Sequence, residues 1–307
     1  MKIFRSALLW ASQSPRMEKM VRGSRAMRPV VMKFMPGETL EETMVAVRRL
    51  KGEGTPTIMT YLGENVNTDA AADQTVGEYE RLFAALKAEG ADAHVSIKLT
   101  QFGWDVDQGK ALERVRRMIK LARENKTVLA IDMESSKYVD STVAAYETLA
   151  RESDNAALCV QAYLHRTQAD IQRLIKLKPF IRLVKGAYRE PADVALGKRP
   201  DVDARYKLLA RELLGAAAQN VRVVFGTHDM DIIAHIRRDA KVLGVAESAF
   251  EIQMLYGIQD AGRRKLAAEG MRTRVLISYG RAWYPWFMRR LAEKPANLWM
   301  VAQNLFS

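Results

Sequence analysis

The sequence predicts an α/β protein, a (β/α)8 TIM-type barrel with an N-terminal helical extension. Three observations predict it. Eight short apolar runs alternate with amphipathic stretches of helical period, the rhythm of repeated strand–helix units. The runs are continuously apolar, as in parallel strands buried on both faces. No Gly-rich dinucleotide fingerprint follows any run, which argues against the doubly wound sheet, the main competitor.

Residues 1–55 fit no strand–helix unit and read as a helical arm or cap; residues 56–307 form the barrel. Ile3 to Val21 reads as an amphipathic basic helix that packs on the body or touches a membrane surface. Its apolar patch, Ala7 to Ala11, is short and lacks a convincing cleavage site, so a signal peptide is not expected. "GETLEETMVAVRRLKGEG" (37–54) is a further amphipathic helix. Eight of the 15 methionines precede residue 60, which gives this region pliant packing. The strands are "TIMTYLG" (57–63), "AHVSIKLT" (93–100), "TVLAIDM" (127–133), "ALCVQAY" (157–163), "FIRLVKG" (180–186), "VRVVFGT" (221–227), "FEIQMLY" (250–256) and "TRVLISY" (273–279). Helices are predicted near 75–89, 109–125, 139–151, 167–176, 201–218, 230–243, 260–269 and 283–293. Asp107, Asp140, Thr167 and Asp229 are the expected caps, and Pro191 and Pro200 precede helical runs.

Composition narrows the partners. The chain has 307 residues, 48% hydrophobic and 27% charged, enough for a sizeable core. Its net charge is +12 and its pI about 9.7, which raises nucleic acid, anionic membrane and anionic ligands. The cations are spread out and no aromatic–basic RNA signature appears, so nucleic acid is not expected. The one cysteine, Cys159, sits in an apolar run and reads as a small buried hydrophobe. No disulfide can form within the chain, which suits a reducing compartment. No stretch approaches 18 apolar residues, so no membrane span is expected.

Chemistry in such barrels sits at the C-terminal ends of strands. There the sequence places Glu64, Lys98, Asp132, Glu134, Gln161, Arg182, Lys185, Gly186, Thr227, His228 and Gln253. Buried charges need partners or a ligand. One case is readily a structural ion pair; seven strands doing so at one end point to a site. "WYPWFMRRLAEKP" (283–295) adds Arg289 and Arg290, side by side in an apolar helix. Either they are surface cations suiting the helix dipole, or both clamp an anion. The cation-rich set calls for a phosphate-bearing cofactor, a carboxylate, or both. A metal is not expected, because His94, His165, His228 and His235 lack ligand spacing. No nucleophile elbow or P-loop is present.

Seven segments, "SIKLTQFGWD" (96–105), "AIDMESSKYVDSTVAAY" (130–146), "VQAYLHRT" (160–167), "IRLVKGAYREP" (181–191), "FGTHDMDII" (225–233), "FEIQMLYGI" (250–258) and "YGRAWYPWFMRRLAEKPAN" (279–297), closely resemble the proline dehydrogenase family in its short bacterial form. The resemblance covers about residue 55 onward and implies a distorted (β/α)8 barrel holding FAD. It implies oxidation of L-proline to Δ1-pyrroline-5-carboxylate, hydride passing from ring carbon C5 to flavin N5 and electrons onward to a membrane quinone. It makes Arg289, Arg290 and Lys98 the grip on the substrate carboxylate, with Glu64 ion-paired to Arg289 as a gate. Asp132 is a pocket carboxylate, and Arg182 lies near flavin N5, helping to stabilise reduced, anionic flavin. Gln161, Lys185, Gly186, Thr227, His228 and Gln253 surround the FAD, and Tyr188 and Leu255 line the pocket wall.

Two positions depart from the family, which has tyrosines where this chain has Leu276 and Trp286. Leu276 has no hydroxyl to offer Asp132, so an unpaired carboxylate is expected unless water or a substrate hydroxyl meets it. Relatives selective for hydroxyproline also lack this tyrosine. Proline and hydroxyproline (or another cyclic amino acid) both stay open, as does a neutral repacking in which Trp286 fills the space beside Leu276. A non-catalytic flavin- or ligand-binding barrel is the reading of a different class, against which the intact cation set argues. No DNA-binding segment and no aldehyde dehydrogenase half are seen, so the downstream dehydrogenase is expected as a separate protein. The quinone acceptor and cationic chain lead us to expect a cytoplasmic location with peripheral contact at the inner face of the cytoplasmic membrane.

Overall fold

The computed structural model describes residues 14–24 and 27–293. Eight parallel strands close a barrel in chain order, the fold the sequence predicts. They are β1 (Thr57–Tyr61), β2 (Ala93–Ile97), β3 (Leu129–Ile131), β4 (Ala156–Gln161), β5 (Phe180–Val184), β6 (Arg222–Gly226), β7 (Phe250–Leu255) and β8 (Thr273–Tyr279). β8 pairs with β1 from Thr57 beside Val275 to Tyr61 beside Tyr279. The Leu62 N–H then donates to the Tyr279 carbonyl at 2.7 Å. All six residues of β4 are buried, as continuous apolar runs require.

Helices α1 (Pro15–Gly23), α2 (Met27–Phe34) and α3 (Leu40–Gly52) precede the barrel. The predicted helix Ile3–Val21 lies mostly outside the described residues, its end falling in α1. α3 starts with a capping box, Thr39 bonding the Glu42 N–H and Glu42 reaching back. Between the strands lie α4 (Asp69–Glu89), α5 (Gln108–Glu124), α6 (Val139–Glu152), α7 (Thr167–Leu174), α8 (Arg199–Ala217), α9 (Met230–Val242) and α10 (Asp260–Ala268); α11 (Trp283–Glu293) follows β8. α4 begins at Asp69 rather than near residue 75, because Thr68 caps it by accepting the Ala71 N–H at 3.2 Å. Asp107 and Asp229 cap as expected, and Pro200 lies in the first turn of α8. Thr167 is not a cap: its hydroxyl donates to the Gln161 carbonyl. Asp140 lies inside α6 and pairs with Arg166 at 2.6 Å. Pro191 starts a turn, its carbonyl bonded by Val194 and Ala195, not a helix.

The main core lies between strands and helices. Inside the barrel, Ile58, Val128, Ala130, Ala157, Phe180 and Val224 form a second cluster with Leu276 at its edge. Towards the strands' N-terminal ends Arg274 donates to Glu251 at 3.0 Å, to Asp92 at 2.9 Å and to the Thr57 carbonyl at 3.0 Å. His94 stands edge-on to Phe180. Its burial, with Arg274 nearby, drives its pKa down to about 2 and keeps it neutral. Ion pairs thus tie this end together beside a cavity lined by Thr55, Asp92, Glu251, Arg263 and Arg274, while the polar residues singled out in the sequence lie at the opposite, C-terminal mouth.

A third cluster joins the chain's two extremities. Val30, Phe34 and Met35 of the arm pack with Tyr284, Phe287 and Leu291 of α11 and with Leu62 above β1. Each fully buried aromatic or aliphatic side chain here contributes about 1.5–3 kcal/mol. The Trp283 indole donates to Glu38 at 2.7 Å, and the Arg22 guanidinium lies 5.6 Å from the Trp283 ring. α2 ends against the loop after β7, so closely that a Cβ on Gly257 would stand 1.6 Å from the Lys33 carbonyl oxygen. Gly257 also has φ +70°, a region that L side chains avoid.

Candidate active site

The mouth is built from loops that follow the strands, with α11 beside them. Glu64 sits just past β1, in a loop tied down by two bonds. Asn65 N–H donates to the Thr100 hydroxyl at 3.1 Å, and Val66 N–H to the Thr100 carbonyl at 3.0 Å. Arg289 reaches Glu64 from α11 with two N–H groups, at 2.7 and 3.4 Å. The Tyr188 hydroxyl, from the loop after β5, donates to Glu64 at 3.2 Å, and its ring lies 5.2 Å from the Arg289 guanidinium. Lys98, at the end of β2, completes the group at 4.0 Å from Glu64. Glu64, Lys98, Tyr188 and Arg289 thus meet at one point from four parts of the chain.

The charges tune one another. Burial works against the Glu64 carboxylate, but Arg289 and Lys98 outweigh it and hold its pKa below the usual value. Burial depresses the Lys98 ammonium, opposed by Glu64 and Glu134 and reinforced by Arg289 and Arg182. Burial, then the Glu64 charge, push the Tyr188 phenol well up, so Tyr188 is a donor across the ordinary pH range. Lys98 and Arg289 are the cations that an incoming anion would meet here.

Deeper in the barrel, Asp132 ion-pairs with Arg182 and accepts the Ser96 hydroxyl at 2.7 Å. The expected unpaired carboxylate is corrected here: Ser96 and Arg182 satisfy Asp132 without a hydroxyl at position 276. Burial lowers the Arg182 pKa to about 10, which still leaves it charged. Arg182 also reaches the Gln253 side-chain oxygen at 3.4 Å, and Gln253 donates to Glu251 at 2.9 Å. Leu276 and Leu255 are register partners on β8 and β7. Trp286 is buried in the cluster with the N-terminal arm, not in the barrel interior with Leu276. Leu255, the register partner of Leu276, packs against that same cluster. Arg290 lies 6.0 Å from the Trp286 ring.

The other predicted residues form an arc across β4 to β7. Gln161 donates to the Met133 carbonyl at 3.2 Å. Lys185 pairs with Asp203 and, at 3.0 Å, with Asp229. Gly186 has φ +108°, and a Cβ there would stand 2.1 Å from the Tyr163 ring. The Thr227 hydroxyl accepts the Asp229 N–H at 3.1 Å, and the His228 ring lies 3.4 Å from the Leu255 N–H. Gln161 Oε1, an acceptor, and Arg182 Nε, a donor, are among the buried polar atoms with no hydrogen-bond partner among the described residues. A planar heterocycle with both N–H and C=O edges would satisfy such a pair. Cys159 is buried, its thiol pushed up to about 12 by burial, and takes no part.

The sequence reading missed Ser96 and Thr100 and gave Glu134 no role. Ser96 is two residues before Lys98, so on a strand it shares that residue's face. That spacing was the available signal.

A family model described as proline dehydrogenase matches residues 43–303. Proline dehydrogenase of Deinococcus radiodurans is 36% identical over 309 residues, covering 99% of this chain and 98% of its own. Proline dehydrogenase 2 of Bacillus subtilis strain 168 is 34% identical over 298 residues, 96% of each chain. Among solved structures, proline utilization A from Bdellovibrio bacteriovorus, inactivated by N-propargylglycine, superposes with a TM-score of 0.80 at 22% identity. That likeness concerns the fold. It covers 87% of this chain, which spans about a third (33%) of the larger protein.

Proposed function

We infer the activity from one premise: the chain belongs to the proline dehydrogenase family. It is an oxidoreductase acting on proline, and we read the reaction as FAD-dependent oxidation of L-proline to Δ1-pyrroline-5-carboxylate. The observation that carries this reading is the Lys98–Glu64–Arg289 cluster at the mouth, above the Asp132–Arg182 pair.

Arg289, Arg290 and Lys98 hold the substrate carboxylate, with Arg289 offering a planar pair of donors. Glu64 and Tyr188 keep Arg289 folded over the mouth, so that α11 shuts water out. Loss of hydride from C5 leaves a positive charge on the ring nitrogen as the C=N bond forms. Asp132, fixed by Ser96 and Arg182, is the complementary negative charge in the pocket. When bound, FAD would supply the hydride acceptor, with a quinone as the onward acceptor of its electrons. The residues present fit that cofactor: Gln161 Oε1 and Arg182 Nε have spare hydrogen-bonding capacity, and Gly186 leaves room where a side chain would strike Tyr163. Lys185, Thr227, His228 and Gln253 lie along the same arc, and Tyr188, Leu255, Leu276 and Trp286 are our candidates for the substrate wall.

The test is an anaerobic titration of FAD-loaded protein with L-proline, then with trans-4-hydroxy-L-proline, following the visible flavin band. Bleaching by proline supports the reading. Bleaching by hydroxyproline alone moves the substrate to the hydroxylated ring, and bleaching by neither, or no FAD uptake, refutes it.

A quinone acceptor implies a membrane encounter. On α1, Arg16, Lys19 and Met20 are exposed on one face, Met20 by 65%, which supports peripheral contact with anionic lipid at the inner face of the cytoplasmic membrane. No helix among the described residues is long and apolar enough to cross a membrane. Absence of co-sedimentation with anionic vesicles in either flavin redox state would overturn the membrane proposal.

A further inference from the structure

We propose that Glu134 and Thr100 form a clamp that positions both Lys98 and Glu64 for the substrate carboxylate; this deepens the proline-oxidation reading and rests on it. Glu134 follows β3 where the chain leaves the ladder, and it is only 3% exposed. Both its oxygens go to Thr100. One accepts the Thr100 N–H at 3.2 Å and the other the Thr100 hydroxyl at 2.7 Å. Thr100, fully buried, lies in the 3-10 turn Leu99–Phe102 that directly follows Lys98. With its only hydroxyl proton given to Glu134, its oxygen accepts the Asn65 N–H at 3.1 Å. Its carbonyl accepts the Val66 N–H at 3.0 Å.

One threonine is therefore bonded to the end of β3 on one side and to the Glu64 loop on the other, while its own turn carries Lys98. Asn65, the residue after the gate acid, has φ 56°, a left-handed conformation that asparagine adopts more readily than other non-glycine residues. The bond to Thr100 fixes its backbone N–H there. Gln101 fixes the rest of the turn, accepting the Lys98 N–H at 2.8 Å and donating to the Tyr61 carbonyl at 2.6 Å.

Charge points the same way. A buried carboxylate is a costly way to hold a turn that a neutral side chain would serve. Glu134 makes no ion pair within 4.0 Å among the described residues, whereas Glu64 is taken up by Arg289. Glu134 adds its charge to that of Glu64 in supporting the Lys98 ammonium, although burial pushes its own carboxyl above the usual range. Glu134 and Thr100 act through Lys98 and Glu64; they are positioning residues.

The experiment compares FAD-loaded wild type with Glu134→Gln, Thr100→Val and Thr100→Ser. It reads KM and kcat for L-proline, Ki for cyclopentanecarboxylate and the thermal midpoint. Glu134→Gln keeps the shape but removes the charge and one of the two acceptors; Thr100→Val removes the hydroxyl relay; Thr100→Ser keeps it. We expect KM and Ki to rise together by about tenfold in Glu134→Gln and Thr100→Val, equivalent to ~1.4 kcal/mol. We expect kcat to stay within about twofold, and Thr100→Ser to return close to wild type, because one charge-assisted hydrogen bond is at stake. Unchanged KM and Ki would overturn the proposal. So would a kcat that falls in step with the thermal midpoint while KM holds, the signature of a purely structural prop. A wild type that does not oxidise L-proline would bring down the underlying reading, and the clamp with it.

Discussion

Replacing Glu64 by glutamine takes one charge from the mouth and leaves its shape. The amide oxygen still accepts from Arg289, which reaches Glu64 at 2.7 Å, so the gate keeps a neutral contact. What changes is the field on Lys98, whose ammonium stands 4.0 Å from Glu64. Two unit charges at that distance attract by about 4 kcal/mol at an effective dielectric of ~20. That figure is a ceiling, because the Glu64 side chain is 20% exposed and solvent screens part of the interaction. The sign follows from the wild type. Burial already lowers the Lys98 pKa and Glu64 raises it again, so Glu64→Gln lowers it further. Lys98 then loses its proton at lower pH, and with it part of the grip on the carboxylate. The assay is kcat/KM for L-proline against pH, which reports groups of the free enzyme. The alkaline limb should move to lower pH in Glu64→Gln, with little change on the acid side. An alkaline limb that stays in place would refute the assignment of Lys98 as the titrating cation.

Other perturbations test other parts of the site. Asp132→Ala leaves the Arg182 guanidinium, 6% exposed in its side chain, without its counter-charge, and should lower unfolding stability by about 3 kcal/mol while abolishing turnover; denaturant melts and a proline assay check both. Gly257→Ala places a methyl 1.6 Å from the Lys33 carbonyl at a positive φ, so α2 should lift from the barrel and become open to limited proteolysis. Leu276→Tyr should change the proline-to-hydroxyproline ratio of kcat/KM by less than about threefold, well under the ~1.4 kcal/mol of a tenfold change, because Asp132 is already partnered. A larger shift would make position 276 a determinant of ring preference.

The strands were legible because a strand covered on both faces must be apolar throughout. Their ends were not. The run 127–133 shrinks to Leu129–Ile131, since Asp132 and its successors leave the ladder to enter the site. α4 was read too short because its first turns are alanine and aspartate, with little apolar period to detect. The charged residues at the mouth could be located from their place after each run, but not their pairings. Asp132 with Arg182, and Lys185 with Asp203 and Asp229, join side chains far apart in sequence. Ser96 escaped because an uncharged serine inside a strand stands out only by its two-residue spacing from Lys98, a weak signal beside the charged residues. The side-by-side arginines show the same limit: in Arg289 the helix turns one cation onto Glu64, which the local pattern alone did not decide.

The pairing of β8 with β1 has a consequence for synthesis. β1 emerges early from the ribosome, and its second edge stays bare until Thr273–Tyr279 has been made. The arm helices wait longer still, because their apolar partners lie on Trp283–Glu293. For most of translation the nascent chain therefore exposes an open parallel sheet and an uncovered greasy face, both prone to association with other chains. A ribosome that stalls before β8 would release such a species, so the dependence of this protein on holding chaperones should rise steeply with pausing in the last part of its message.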